Sequence, residues 1–363
     1  MAFFNLFKKK DTSVIGIDIG SSAIKVVQIH RRGNKILLDT YGALSLGPYA
    51  KQAIGRATNL PLQTTITALN DILKEAKITS HRGGIAIPFS SSFMTQIEMP
   101  TDNEKQLQTM VPIEARKYIP VPITEVSLDW SIIPKDFIKS AQSEDKSGKT
   151  DIMLVAIHNE TITEFQQIIG KTGLDANFFE IEIFSTMRSV LGQNPEPIMI
   201  LDIGAASTKL YIVERGGLRV SHTINKGSQD ITSSIATSLN ISIEQAEIMK
   251  RTSGYVKTNG EGADLSSLIS FTLDYIFSES DRVMRNYQVK NNKSISKVVL
   301  VGGGAAMKGI VELATNHLKV AVETGDPFSK VEAPAVLTEV LRNNGPEFAV
   351  ALGIALRRLR ESE

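Results

Sequence analysis

The chain has 363 residues, of which 42% are hydrophobic, enough for two lobes or domains that each bury a core. There is no cysteine, so disulfides and thiolate metal sites are excluded and a reducing compartment fits; the five histidines show no metal-ligand spacing. A formal net charge of +1 offers no global field for nucleic acid, and no apolar run is long enough to cross a bilayer.

Residues 1–12 read as a tail, with Phe3, Phe4, Leu6 and Phe7 followed by Lys8, Lys9 and Lys10. The charges follow the apolar stretch, which is short, so the order is wrong for a secretory signal and the expected location is cytoplasmic. The tail could insert its aromatics into a membrane surface while the lysines meet anionic lipid; an unstructured start is the other reading. Next comes Ile15-Gly16-Ile17-Asp18-Ile19-Gly20-Ser21-Ser22-Ala23-Ile24-Lys25. It reads as a β-hairpin: a buried strand ending at Asp18, a tight turn of glycine and small residues, and a second strand with Val26, Val27 and Ile29. Backbone amides at Gly20, Ser21 and Ser22 can approach a polyphosphate, and Asp18 can hold a hydrated Mg²⁺. A helix is expected around Thr64–Lys77. From Gly84 to Thr163 the chain carries Pro88, Pro100, Pro112, Pro120, Pro122 and Pro134, and within it Ser140–Lys149 is polar and reads as a mobile loop. Helices are expected at Glu160–Gly170, returning to the first lobe, and at Phe179–Val190, connecting the lobes.

About half a chain after the first hairpin the same pattern returns as Met199-Ile200-Leu201-Asp202-Ile203-Gly204-Ala205-Ala206-Ser207-Thr208-Lys209. Aspartate, glycine and lysine all align. One such turn is as readily an ordinary Asp-x-Gly hairpin; two aligned copies imply duplicated halves clamping a nucleotide. Asp202 would join Asp18 in the Mg²⁺ shell, and Gly204, Ala205 and Ala206 would present amides to phosphate. Lys25 and Lys209 are candidates for phosphate contact, although solvent-facing strand lysines are common. Ala246–Arg251 reads as a helix, in which Glu247 and Arg251 could form a surface pair. Leu265, Leu268, Ile269, Leu273, Ile276, Phe277, Val283 and Met284 mark one core-facing helix. Val298–Val301 is a short apolar strand running into Gly302-Gly303-Gly304-Ala305-Ala306-Met307, with a helix from about Ile310; this is an anion or nucleotide contact, or a flexible turn. A final helix is expected from Pro346 to about Leu359.

The order of two phosphate hairpins and a glycine-rich loop resembles the superfamily of actin, FtsA and sugar kinases. Ile224–Thr232 is similar to the segment after the second hairpin in FtsA-like proteins. Phe4–Lys10 ahead of Ile15–Ser22, Ile85–Pro88, Ile97–Pro100 and Glu114–Pro122 resemble the PilM family of type IV pilus assembly proteins over nearly the whole chain. The resemblance implies an α/β, actin-like (ribonuclease H-like) two-lobe fold with an FtsA-type inserted subdomain. The first lobe would comprise 13–83, 164–196 and 335–363, the insert 84–163, and the second lobe 197–334. It implies ATP and Mg²⁺ in the cleft, with Glu247 and Lys250 toward ribose and adenine, Gly302, Gly303, Gly304 and Met307 around the adenosine, and Glu182 as candidate for positioning the hydrolytic water. Ala205 and Ala206 depart from the first hairpin's hydroxyl residues and leave that work to the backbone. At most weak ATPase activity is implied. The implied partners are the N-terminal cytoplasmic peptide of PilN, other platform proteins and motor ATPases, with the chain peripheral to the inner membrane and able to form a homo-oligomer or ring. The peptide groove would lie between the first lobe and the insert, walled by the Gly84–Pro100 strands and a Glu114–Pro120 helix. A small-molecule kinase and an FtsA-like membrane filament are the alternatives; the kinase lacks the usual Asp-Gly segment between the hairpins.

Overall fold

The computed structural model describes residues 13–133, 149–255 and 265–361. The expected tail at 1–12 and nearly all of the expected Ser140–Lys149 loop lie outside these residues. In chain order the elements begin with β1 (Val14–Ile19), β2 (Ala23–Arg32), β3 (Lys35–Ser45), α1 (Leu62–Glu75) and β4 (Arg82–Ile87). They continue with β5 (Ser92–Met99), α2 (Glu104–Ala115), β6 (Val126–Ile132), β7 (Thr150–His158), α3 (Asn159–Gly170), β8 (Asp175–Ile181) and α4 (Glu182–Val190). Then follow β9 (Ile198–Ile203), β10 (Thr208–Glu214), β11 (Gly217–Ile224), α5 (Ser228–Leu239), α6 (Ile243–Ser253) and α7 (Leu265–Asn291). The last are β12 (Lys297–Val301), α8 (Ile310–Leu318), β13 (Ala321–Thr324), α9 (Thr338–Asn344) and α10 (Ala349–Arg360).

The contacts divide the chain into one unit of 1–86 with 172–363 and another of 87–171. The first unit holds two five-stranded sheets of the same design, in orders β3-β2-β1-β4-β8 and β11-β10-β9-β12-β13. In each, an antiparallel hairpin meander supplies three strands, and a parallel strand then lies beside the first of them. The central strands β1 and β9 are apolar almost throughout and buried on both faces, as parallel pairing requires. The duplication reaches fine detail. The register slips between Gln28 and Ile29 where β2 pairs with β3 and between Ile212 and Val213 where β10 pairs with β11, at equivalent places in the repeat.

Helix α10 packs on β1, β2 and α4. Glycine makes this approach possible: a Cβ on Gly16 would sit 1.9 Å from the Ala351 carbonyl oxygen, and one on Gly353 would sit 2.0 Å from that of Ser185. Beside this junction Arg188 donates to both oxygens of the buried Glu180 at 2.6 and 2.7 Å, and Arg357 of α10 adds a third bond at 3.0 Å. The second lobe's core lies between the sheet and α5–α8, and the expected α7 face, Ile269, Leu273, Ile276, Phe277, Val283 and Met284, is buried in it.

The second unit is an antiparallel sheet, β5-β7-β6, whose core joins Ile97, Met99, Ile152 and Leu154 to Leu107, Val111 and Ala115 of α2. The structure corrects four expectations. Phe179–Ile181 end a strand, and the helix starts only at Glu182, because Phe178 to Ile181 complete the first sheet's edge. Gly84 lies in β4, paired with Gly16 of β1, so this stretch belongs to the first sheet. The helix placed at Glu114–Pro120 is α2, which starts at Asn103's side-chain cap and ends at Ala115. The helix at Asn159–Gly170, expected in the first lobe, belongs to the second unit and packs on β7.

Candidate functional site

The two hairpin turns are closed alike. Gly20 N–H donates to Ala23 O and Gly204 N–H to Ser207 O, each at 3.0 Å. The glycine amides are therefore consumed by the turns, whereas Ser21, Ser22 and Ala205 beside them line the cleft. The second turn is also braced from behind, since Ser228 and Gln229 at the start of α5 donate to the Gly204 and Ala205 carbonyls. Gly227 permits this, as a Cβ there would lie 2.3 Å from the Ala205 oxygen.

A cleft of about 500 Å³ separates the two lobes. It is lined by Asp18, Gly20, Ser21, Ser22 and Lys25, by Glu182, by Asp202, Gly204, Ala205 and Lys209, by Glu247 and Lys250, and by Gly302, Gly303, Gly304 and Met307. Of the residues expected at the site, Ala206 alone does not line it. A wider depression of about 1690 Å³ beside α8, β13 and α9 shares only Met307 with that set.

The cleft's centre is ionic. Lys25 Nζ lies 3.4 Å from Asp18, and Lys209 Nζ lies 2.8 Å from Glu182. Burial alone would lower the Lys25 ammonium, but Asp18, Glu347 and Asp202 hold it above its ordinary value. For Lys209 burial is likewise overcome, chiefly by Glu182 and Asp202. Burial raises the Asp202 carboxyl; Lys209 opposes the rise and Asp18 adds to it. Asp18 and Asp202 thus face each other electrostatically from opposite lobes. Among the described residues no three His, Cys, Asp or Glu side chains are grouped to hold a metal directly. Two carboxylates on opposite walls of a cleft suit Mg²⁺, which keeps several waters and binds through one or two carboxylates together with a ligand's phosphate.

At the far end Glu247 accepts from Thr232 and pairs with Lys250, both at 2.6 Å, and with Arg251 at 2.7 Å. The helix-surface pair and the buried cleft carboxylate are thus the same residue. Burial would raise the Glu247 carboxyl, but Lys250 and the hydrogen bonds bring it below its ordinary value. The glycine turn is conformationally constrained: Gly302 has φ of +81°, and a Cβ there would lie 2.4 Å from Asp202 Oδ1.

Several lining residues escape sequence reasoning. Glu347, on the turn before α10, faces Lys25, and burial raises its carboxyl. Gly55, at φ +86°, lies against Glu247 from the first lobe. Neither stands in a recognisable motif.

A profile of the family described as type IV pilus assembly protein PilM matches residues 16–359. The chain belongs to that family. A solved PilM–PilN type IV pilus biogenesis complex contains a chain 25% identical to this PilM-family protein, with a TM-score of 0.77, covering 95% of this chain and 98% of that one. Cell division protein FtsA of Neisseria meningitidis serogroup B is 23% identical over 336 residues, covering 83% of this chain and 79% of its own. MreB5 of Spiroplasma citri, solved bound to ADP, is 13% identical with a TM-score of 0.54, covering 97% and 98% of the two chains. The fold is actin-like, as the order of motifs implied, and the family places the protein in type IV pilus assembly. No described helix is long and apolar enough to cross a membrane.

Proposed function

We propose that this PilM-family protein binds ATP with Mg²⁺ in the inter-lobe cleft and uses nucleotide state to control assembly of the pilus inner-membrane platform. The observation that carries the reading is the pair of carboxylate-and-glycine hairpins on opposite walls of one cleft, each followed by a lysine. Amides of Ser21, Ser22 and Ala205 would hold phosphates, helped by Lys25 and Lys209. Asp18 and Asp202 would hold the hydrated Mg²⁺, which supplies charge neutralisation to the triphosphate. Glu247 and Lys250 would face the ribose and base beside Gly302, Gly303, Gly304 and Met307.

Glu182 is the candidate for aligning water with the γ-phosphate. In this state its carboxylate is tied to Lys209 at the start of α4, which favours a nucleotide clamp with slow turnover over a fast ATPase. A ligand bridging both lobes biases their relative arrangement, and a partner preferring one arrangement reads that bias. The partner we infer is the N-terminal cytoplasmic peptide of a PilN-like membrane protein, captured as an extended segment. Such capture would hold the protein at the cytoplasmic side of the inner membrane, alongside other platform proteins and motor ATPases, as a ring or other homo-oligomer.

Calorimetry tests this directly. The expected result is Mg²⁺-dependent uptake of ATP by the purified protein, at least tenfold weaker in Asp18→Ala and Asp202→Ala, and a PilN tail-peptide affinity that differs between ATP and nucleotide-free samples. Absence of adenine-nucleotide uptake by well-folded protein would overturn the reading. Phosphorylation of a sugar or short acid would favour the small-molecule kinase instead.

A further inference from the structure

Tyr211 stands two residues beyond Lys209 on β10, so both side chains leave the same face of the second sheet. The opposite face, with Leu210 and Ile212, goes to the second lobe's core. Across the ladder Lys209 is paired with Asp202 and Tyr211 with Ile200, which puts the tyrosine one step deeper beneath the cleft. Its side chain is fully buried, and among the described residues its hydroxyl has no hydrogen-bond partner. A buried hydroxyl left unpaired costs stability, and in a native protein such a group calls for an explanation. The surroundings supply one: burial raises this phenol well above its ordinary range, and Asp202, Glu182 and Asp18 each push it further the same way. The hydroxyl therefore lies within the field of the very carboxylates that line the cleft.

In the present arrangement Lys209 occupies Glu182 at 2.8 Å. A polyphosphate arriving between the hairpins competes for that ammonium, and its departure leaves a buried carboxylate with less positive charge beside it. A neutral donor already placed under the site offsets this, since hydrogen bonds to charged groups are among the stronger ones.

We propose that Tyr211 is a positioning residue, a donor held in reserve that engages the cleft's carboxylates, Glu182 foremost, when Lys209 turns to bound phosphate. The proposal deepens the nucleotide-clamp reading and rests on it. It makes the hydroxyl a cost in the empty protein and a gain in the loaded one. Removing it must then move stability and affinity in opposite directions, which a purely structural tyrosine would not do.

The test is Tyr211→Phe, an isosteric change, alone and combined with Lys209→Met. Without ligand, Tyr211→Phe is expected to melt at the wild-type temperature or on the order of 1–2 °C above it. Its Mg²⁺–ATP affinity should fall about tenfold by calorimetry. In the Lys209→Met background, where the hydroxyl is already recruited, the same change should lower the melting temperature, so that the cycle shows a reversal of sign. A ligand-free Tyr211→Phe protein that melts well below wild type would overturn the proposal, as would an ATP affinity within twofold of wild type. The affinity measurement needs only the single variant and decides the matter even if the double variant does not fold. If wild type itself takes up no nucleotide, the clamp reading falls; if wild type binds and Tyr211→Phe binds equally, only the role of Tyr211 falls.

Discussion

Glu247 shows how one side chain serves a fold and a site together. Its carboxylate is almost fully buried and is held by Thr232, Lys250 and Arg251, while its outer edge faces Gly55 and the cleft. Glu247→Gln would leave Lys250 buried without its counter-charge, at a cost of about 3 kcal/mol in urea denaturation at neutral pH. The pH dependence has a definite sign. The folded carboxyl lies below its ordinary value of 4.5, so its contribution is complete above that value and is lost as pH falls through the lower folded value. Wild type should therefore lose its advantage over Glu247→Gln in acid, a convergence that paired denaturation curves would reveal. The residue was legible as a ribose candidate through motif order alone; its second partner, Thr232, lies fifteen positions away on another helix, and no spacing rule connects them. Tyr211 is the reverse case. Its i+2 relation to Lys209 puts both on one strand face, but an unpaired hydroxyl exists only once every neighbour is placed.

At the scale of elements, the glycines of the helix-packing junction carry the clearest consequence. Gly353 meets the Ser185 backbone so closely that a methyl group has no space, and the contact is to a carbonyl within α4, which cannot rotate away. Gly353→Ala is expected to cost at least about 2–3 kcal/mol, read as a lowered denaturation midpoint, or to prevent folding altogether. The two hairpins were readable from the chain because each is local: strand, Asp-x-Gly turn and strand follow one another, and duplication doubles the signal. The sheet-edge strand β8 was not, because Asp175–Ile181 runs directly into α4 without a glycine or proline to mark the change. The sequence pattern marks α3 as a helix, yet it packs on β7 in the second unit and not in the first lobe. An amphipathic pattern reports that a face is buried, not which sheet buries it.

At the scale of the whole molecule, the lobes touch at more than the cleft floor. Arg56 donates to Ser233 at 3.0 Å and the Ala57 amide to Gln229 at 3.1 Å, joining the loop before α1 to α5. A ligand gripping both hairpins adds to these contacts and stabilises both lobes at once. ATP at about a hundred times its dissociation constant should add about 2.7 kcal/mol. Calorimetry should show one transition moving to higher temperature with Mg²⁺–ATP, the two lobes unfolding together, and little movement once the cation is chelated. The packing of α10 on β1 has a further consequence for biogenesis. β1 ends at Ile19 and α10 begins only at Ala349, so the strand is translated well before the helix that covers it exists. Over that interval the apolar strand face lacks its native cover and is open to transient, non-native contacts.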